Sequence, residues 1–220
     1  MLEIKHADGN LTVSPLINLT YGKDRRDTIQ RRLYQNMRGV LVEGDLLKNF
    51  SFTTQIYETQ ARFSNYETAY YAGCGELYPN TGGQLYLTQN AVIPGAARTK
   101  PFKGTAFDYA YALGNLVFAP SNRFTLIAGN TPVFIGDGYR SLILSDNGIP
   151  SPFIKSTFQL HPRWTLNTMR MRLTNFIRKP KSSTVEAYYE MKGYSANYLS
   201  FKVTEKLTIS LYEGGIWFKD

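Results

Sequence analysis

Cysteine is almost absent from this sequence, since Cys74 is the only one among 220 residues. A single thiol cannot form an internal disulfide, so a disulfide-stabilised scaffold is excluded. Charged residues are also scarce, at 19 %, against about a quarter in average proteins. No window of about 18 apolar residues occurs, which excludes a bundle of membrane-spanning helices. Outer-membrane β-strands remain compatible with these absences, because their alternating pattern is weak.

The N-terminus lacks the basic segment and apolar core of a signal peptide. Taken alone, this absence suggests a cytoplasmic protein, although a removed signal or a start inside a longer chain would look the same. What the chain has instead is aromatic and basic: 16 Tyr, 13 Phe, 2 Trp and a net charge of +8. With 43 % hydrophobic residues, such a chain is expected to fold rather than stay disordered.

Apolar residues recur at every second position through most of the chain. Residues 11–21 carry apolar side chains on one face and polar ones on the other, and 164–177 place Met169 opposite Arg170. No long stretch keeps the helical period of about 3.6 residues, so we predict about ten strands and little helix. The remaining alternating runs lie near 37–46, 50–63, 107–117, 123–131, 152–161, 184–203 and 207–213.

Turn-forming residues separate most of these runs by hairpin-length gaps, near 43–49, 120–123, 161–163 and 204–206. Sequential hairpins predict an all-β, antiparallel up-and-down meander, here as one domain over 1–220. The connection at about 64–106 is much longer. Short turns alternating with long loops are typical of an outer-membrane β-barrel, and strands of roughly 10–14 residues are long enough to cross a membrane. A soluble β-sandwich or solenoid fits the alternation equally well.

A barrel interpretation assigns the two faces of each strand. The apolar side chains, including Met, would point outward, and the polar ones would line the lumen. Aromatic residues near strand ends would form the girdles at the two membrane interfaces. The residues that suit this role are Tyr21, Phe63, Phe107, Phe118, Trp164 and Trp217.

The densest motif, at 129–142, contains three glycines but lacks the Gly-Lys-Ser/Thr sequence and the following helix of a phosphate-binding loop. Its plainest interpretation is a tight turn in which Asp137 and Arg140 form an ion pair. Alternatively the loop faces a ligand, because arginine binds carboxylates through two parallel hydrogen bonds.

Catalytic and metal chemistry finds little support in the residue types. His6 and His161 are far apart and Cys74 stands alone, so we expect no metal ion, no cofactor and no cysteine nucleophile. Among 17 acidic residues some pair will always suit glycoside hydrolysis, and such a pair therefore carries no weight. We expect a non-enzymatic protein.

Basic residues cluster near 23–32 and 178–181. They fall at strand ends and between strands rather than along one element that could enter a nucleic-acid groove, so we expect no nucleic-acid partner. Anionic lipid or an acidic polysaccharide is the partner that this charge would suit.

Several segments resemble the RemB-like gliding-motility proteins, which belong with the capsule-assembly outer-membrane proteins of the Wzi type. The main one is FIGDGYRSLILSDN at 134–147. The others are NMRGVLVEG at 36–44, FTTQIYETQARF at 52–63, VIPGAAR at 92–98 and YEGGIW at 212–217. The resemblance implies a large outer-membrane β-barrel at the cell surface that attaches capsule or other polysaccharide, or takes part in gliding-related adhesion. Family members are longer, so we expect a partial barrel.

Three functions follow as hypotheses. The first is an outer-membrane barrel that binds acidic surface polysaccharide; the second is a scaffold in a secretion or motility complex with other outer-membrane proteins; the third is a soluble all-β carbohydrate-active enzyme. For the first, basic and aromatic side chains on loops and in the lumen would hold the sugar chain. The predicted ligand-binding residues are Arg62, Tyr66, Tyr70, Tyr71, Arg98, Asp137, Tyr139, Arg140, Asp146 and Glu213.

Overall fold

The computed structural model describes residues 1–27, 32–75, 77–79, 85–87, 91–97, 99–136, 138–179 and 188–218. These residues form thirteen strands and one helix. In chain order they are β1 (Leu2–His6), β2 (Gly9–Lys23), β3 (Arg32–Leu46), β4 (Phe50–Arg62), α1 (Asn65–Gly73), β5 (Leu77–Pro79), β6 (Leu85–Leu87), β7 (Lys100–Phe102), β8 (Ala106–Ser121), β9 (Phe124–Gly129), β10 (Phe153–His161), β11 (Trp164–Lys179), β12 (Tyr188–Thr204) and β13 (Leu207–Phe218).

One antiparallel sheet of eleven strands dominates the described chain. Its strands follow the order β1-β2-β3-β4-β8-β9-β10-β11-β12-β13, and β7 pairs beside β8. The predicted all-β antiparallel meander is confirmed, and hairpin turns lie at the four predicted places. The sheet is open in the described residues, with β1 and β13 as its two edges.

The long connection between β4 and β8 is more structured than its sequence predicts. Helix α1 begins after Ser64, and the Glu67 carboxylate accepts a hydrogen bond of 3.2 Å from the Ser64 backbone N–H. This reciprocal cap stabilises a helix that is only nine residues long. So short a helix shows no clear 3.6-residue period, which is why alternation alone did not reveal it.

Continuous register divides the side chains between two faces of the sheet. The outer face carries Ile17, Ile56 and Leu116; the inner face carries Tyr57 and the residues in register with it. Two buried clusters lie on the inner face, where the loop segments 91–97 and 130–151 cover it. The first contains Ala61, Ala91, Ile93, Ala96, Phe107 and Tyr109, and the second Ile135, Phe153, Met169, Met171, Tyr194 and Ala196.

These clusters correct two predictions about the faces. Phe107 is buried, and Phe63 packs against the same cluster, so neither belongs to an interfacial girdle. Met169 is 1 % exposed beneath the second loop segment, whereas its neighbour Arg170 lies on the outer face. The reason is that the two loop segments cover the inner face near the ends of the strands that the long loops connect, and the covered part of that face is apolar. The other four predicted girdle residues, Tyr21, Phe118, Trp164 and Trp217, lie on the outer face.

Close approach of an aromatic ring requires glycine near the β13 edge. Gly193 pairs directly with Trp217, and a Cβ added to Gly193 would lie 2.4 Å from the indole. The ring therefore lies flat over a residue without a side chain, an arrangement that protects edge glycines in sheets. In β13 itself, Gly215 has open space around the position of a Cβ.

We expect Gly193→Ala to lower the free energy of unfolding by about 1 to 3 kcal/mol, because the indole must leave its packed position. Gly215→Ala, in the paired strand but with no neighbour to displace, should change it far less. The urea midpoint of each variant in detergent measures the difference. Equal midpoints for the two variants would contradict this account of Trp217.

Candidate functional site: an apolar outer band, a covered inner face and a polar rim

The outer face carries an apolar band that crosses the whole sheet. More than half of its side chains are solvent-exposed and the rest are half-buried: Ile17 and Leu211 are each 72 % exposed, and Ile56 is 53 % exposed. The band comprises Leu2, Ile4, Leu11, Val13, Pro15, Ile17, Leu19, Val40, Val42, Phe50, Phe52, Ile56, Leu116, Phe118, Phe124, Leu126, Ile154, Phe158, Leu160, Trp164, Leu166, Leu199, Phe201, Leu207, Ile209 and Leu211.

We call the end of the sheet with the long loops its upper end and the end with the short hairpins its lower end. Above the band, the same outer face is polar. Arg38 and Glu58 are register partners on β3 and β4, and their side chains form an ion pair of 3.3 Å. On β11 and β12, the Arg170 guanidinium donates a hydrogen bond of 3.3 Å to Asn197 Oδ1. On β3, β4, β11 and β12 the outer face therefore changes from apolar to polar, which gives the band an upper edge on these strands.

This upper edge is slanted relative to the rows of paired residues. In β2 the band reaches Leu19, above the row that joins Ile17, Arg38 and Glu58. In β13 it ends at Leu211, in the much lower row of Leu199, Leu166 and Phe158. The descent is 12 residues over the eight intervals between β2 and β13, or about 1.5 residues per strand. At about 3.3 Å per residue and 4.8 Å between strands, this corresponds to a slant of about 45°.

A slant of this size has a simple geometric meaning. A flat apolar layer that meets tilted strands cuts each successive strand at a different height. Strands of membrane barrels tilt by about 35–45° from the membrane normal. The outer band therefore has the slant expected of a sheet whose strands cross one flat apolar layer.

Loop segment 91–97 lies along the inner face beside α1 and β8. The Val92 N–H donates to the Tyr71 carbonyl at 3.0 Å, and the Tyr111 hydroxyl donates to the Pro94 carbonyl at 2.6 Å. Val92 and Ile93 are buried. Backbone and side-chain bonds thus hold this segment against the sheet.

Loop segment 130–151 begins by extending the sheet through a side chain. The Asn130 amide accepts a bond from the Gly114 N–H and donates one to the Ala112 carbonyl, both at 2.8 Å. Further along, the Ile135 N–H donates to the Leu144 carbonyl at 2.9 Å, which turns the chain back over the inner face. A cavity of about 250 Å³ lies under this segment. Its lining is mostly apolar and includes Val133, Leu144, Ile149, Met171, Leu173 and Lys192.

The two loop segments meet at Gly95. This glycine has φ +74°, and a Cβ added to it would lie 2.5 Å from Pro150 Cδ. Gly104 has a similar φ of +82° but no neighbour within 4 Å of that position. Alanine substitutions at Gly95 and at Gly104 can therefore be compared. The comparison separates the free-energy cost of the left-handed backbone from the cost of pushing the two loop segments apart.

We expect Gly95→Ala to expose both loop segments to protease much more than Gly104→Ala does, because only the first substitution collides with the other loop. The measurement is the rate of limited proteolysis in detergent, with cleavage sites identified by mass spectrometry. Similar rates in the two variants would mean that the Gly95–Pro150 contact does not hold the loops together.

A row of aromatic and basic side chains marks the rim at the loop end of β2, β3 and β4. Tyr21 pairs with Tyr34, which in turn pairs with Arg62. The Arg62 guanidinium lies 5.6 Å from the centroid of the Tyr34 ring, a cation–π contact. A cavity of about 200 Å³ opens beside them, lined by Thr20, Gly22, Leu33, Tyr34, Gln35, Arg62, Phe63, Ser64 and Glu67. We call it the rim pocket.

The Arg62 side chain is incompletely hydrogen-bonded. One of its Nη atoms donates to the Lys103 carbonyl at 3.5 Å. Its Nε is buried and has no hydrogen-bond acceptor in the described part of the chain. Because an unpaired buried donor costs free energy, this side of the rim pocket favours a ligand that brings an acceptor oxygen.

Three predicted tyrosines lie together on α1, next to the rim pocket. Tyr66 and Tyr70 are exposed, at 76 % and 53 %. Tyr71 packs edge-on against Phe63, with 5.1 Å between ring centroids. Burial, and then the Glu67 carboxylate, raise the pKa of the Tyr71 hydroxyl above its ordinary value. Tyr71 therefore stays neutral and anchors the helix, while Tyr66 and Tyr70 expose part of their rings to solvent.

The other predicted ligand-binding residues are dispersed. Tyr139, Arg140 and Asp146 are exposed on loop segment 130–151. Glu213 lies on the outer face of β13, paired with Asn197, and so on the opposite side from the loops. Arg98 and Asp137 lie outside the described residues, and so does the predicted ion pair between Asp137 and Arg140.

Sequence reasoning missed Tyr34, which contributes the ring beneath Arg62. A signal was present, because a strand pairing that aligns 34–46 with 50–62 places Tyr34 opposite Arg62. Finding it requires the register of two strands rather than the alternation within one.

Comparison with protein-family models, with curated proteins and with solved structures finds no match for this chain. Among the residues that the structure describes, no three His, Cys, Asp or Glu side chains come together in a way that could hold a metal ion. Within the same residues, no helix is long and apolar enough to cross a membrane.

Proposed function

We propose that this chain forms part of the wall of a bacterial outer-membrane β-barrel, with its outer band against lipid. The single observation that carries the proposal is the slant of the band across the sheet. A soluble sheet that buries one face against a second layer has no reason to keep an apolar edge inclined at about 45° to its register, whereas tilted membrane strands require one.

The exposure of the band supports the same proposal. Exposed apolar patches on soluble monomers rarely exceed a few hundred Å², yet this band extends over ten strands. Large side chains such as Ile17 and Leu211 remain mostly uncovered. A lipid layer would remove them from water without any further protein segment.

We further propose that the rim binds acidic surface polysaccharide at the cell surface without enzymatic activity. The rim pocket offers the Arg62 guanidinium, whose Nε lacks an acceptor, and the ring of Tyr34. Tyr66 and Tyr70 add exposed aromatic faces nearby. Guanidinium groups bind carboxylates well, and aromatic rings offer flat apolar surfaces to a ligand. The resemblance to RemB-like and Wzi-type proteins points to the same role in capsule attachment or adhesion.

Replacement of one band residue by lysine tests whether the outer band faces lipid or water. Ile56 is already half exposed, so Ile56→Lys should change the stability of a water-soluble sheet very little. In a bilayer a lysine on the lipid face costs about 2–4 kcal/mol at the midplane and less toward the interfaces. Ile56 lies within the band but toward its upper edge, so we expect the variant to fold into vesicles with lower stability, by less than the midplane cost. Gln60→Lys is the control, since Gln60 lies on the same face of β4 above the band. Equal stability of the two variants in vesicles would contradict the membrane assignment.

Retention of polysaccharide tests the rim. We expect Tyr66→Ala with Tyr70→Ala to lower binding of acidic polysaccharide about ten-fold, because stacked aromatic contacts contribute roughly 0.5–1.5 kcal/mol each beyond their area burial. Glu213→Gln, on the edge strand β13 and far along the sheet from the rim pocket, should leave binding unchanged. Binding is measured on glycan arrays with the detergent-solubilised protein.

The same assay on Tyr139→Ala with Arg140→Ala tests the second loop. Unchanged retention in both double variants would remove the polysaccharide role. A stable stoichiometric protein partner without glycan binding would then favour a scaffold in a secretion or motility complex.

A further inference from the structure

Four hairpin turns at one end of the sheet share a sequence pattern. Each places a cation one or two residues before the first residue of the strand that follows. The pairs are Lys48 with Phe50, Arg123 with Phe124, Arg163 with Trp164, and Lys206 with Leu207. In each pair the second residue belongs to the outer band, so every one of these hairpins sets a cation against the lower edge of the band.

Three aromatic pairs strengthen this edge, and each joins one of these hairpins to the next. The Trp164 and Phe201 rings stack with centroids 4.3 Å apart, and Phe124 lies 4.9 Å from Phe158. Phe50 is in register with Phe118. Aromatic residues at this position are typical of the interface between hydrocarbon and headgroups. The cations therefore lie where headgroups would lie if the band meets lipid.

The four cations are exposed and have no carboxylate partner in the described part of the chain. The carboxylates at this end have other neighbours. Glu205 pairs with Lys202 at 3.2 Å, Asp45 accepts a bond of 3.0 Å from the Asn10 amide, and Asp8 lies 3.8 Å from His6. The turn cations are thus available to an external anion.

Spacing favours many separate anions over one. Successive hairpins are two strands apart, about 10 Å along the sheet, so the four cations form a line rather than one pocket. A line of single charges directly below an apolar band matches a lipid leaflet, in which each molecule brings one phosphodiester above its acyl chains. Arginine and lysine near such a surface each add about 1 kcal/mol of attraction.

We infer that Lys48, Arg123, Arg163 and Lys206 form a basic rim that binds the headgroups of anionic phospholipids, with the hairpin end of the sheet in the leaflet that contains them. This inference rests on the proposed membrane function. It goes further by assigning a lipid class to one end of the sheet.

Vesicle insertion tests the inference with the full chain. The urea-unfolded protein is diluted into vesicles of phosphatidylcholine, alone or mixed with phosphatidylglycerol, and inserted protein is measured by flotation and protease protection. We expect phosphatidylglycerol to improve insertion of the unmodified chain, and we expect salt of about 1 M to weaken this preference.

The decisive variant is K48Q/R123Q/R163Q/K206Q, which should lose the preference, at about five-fold per cation removed. The matched control is K23Q/R25Q/R26Q/K103Q, which removes two lysines and two arginines that are exposed at the opposite end. The control should keep the preference. Circular dichroism in detergent establishes strand content, and if the fourfold variant does not fold, the four single substitutions are compared instead.

Two other outcomes distinguish failure of the basic rim from failure of the proposed membrane function. Insertion without any preference for phosphatidylglycerol, or an equal loss in both variants, would overturn the basic rim and leave the membrane function standing. No insertion into either kind of vesicle would overturn the proposed function and, with it, the inference that rests on it.

Discussion

The unbroken hydrogen-bond register from β1 to β13 is the constraint on which the other features of this molecule depend. Because side chains alternate with period two, a slip of one residue in any strand would exchange the outer and inner faces beyond it. The outer band, its slanted edge and the inner-face clusters all require the register to hold across every strand pair. The register shifts lie near strand ends, such as the one between Lys202 and Thr204 beside a hairpin and the one between Thr174 and Arg178 at the other end of β11.

Loop packing explains why each strand has two different polarity patterns. Near the hairpins, the outer face is apolar and the inner face carries residues such as Thr157 and Asn167, whose side chains share a hydrogen bond of 2.7 Å. Near the loops, the inner face becomes apolar beneath segments 91–97 and 130–151, while Arg38 and Glu58 make the outer face polar. A strand such as β11 therefore presents Leu166 outward and Met169 inward, three residues apart.

This reversal of polarity along the strands separates the features that can be predicted from the sequence from those that cannot. Alternation and turn residues predicted the meander and its hairpins, because both are local properties. The same alternation placed Met169 outward and Phe107 in a girdle, because the period is identical whichever face is apolar. The deciding information is which loop lies over which face, and that depends on contacts such as Gly95 with Pro150. For the same reason Arg62 was predicted as a ligand residue while its partner Tyr34 was missed.

Under the proposed function, insertion into lipid also constrains the two edges of the sheet. In the described residues β1 and β13 each present one unpaired row of backbone N–H and C=O groups. In hydrocarbon every such group costs several kcal/mol, so open edges do not persist there. A lipid-facing band on this sheet therefore requires that β1 and β13 pair, with each other or with further strands. The twelve residues of β13, all exposed, offer a long edge, whereas β1 has only five. The shorter edge leaves the upper half of β2 uncovered, including Ile17 and Leu19. A strand that closes the sheet must therefore run alongside β2 above β1, as well as along β13.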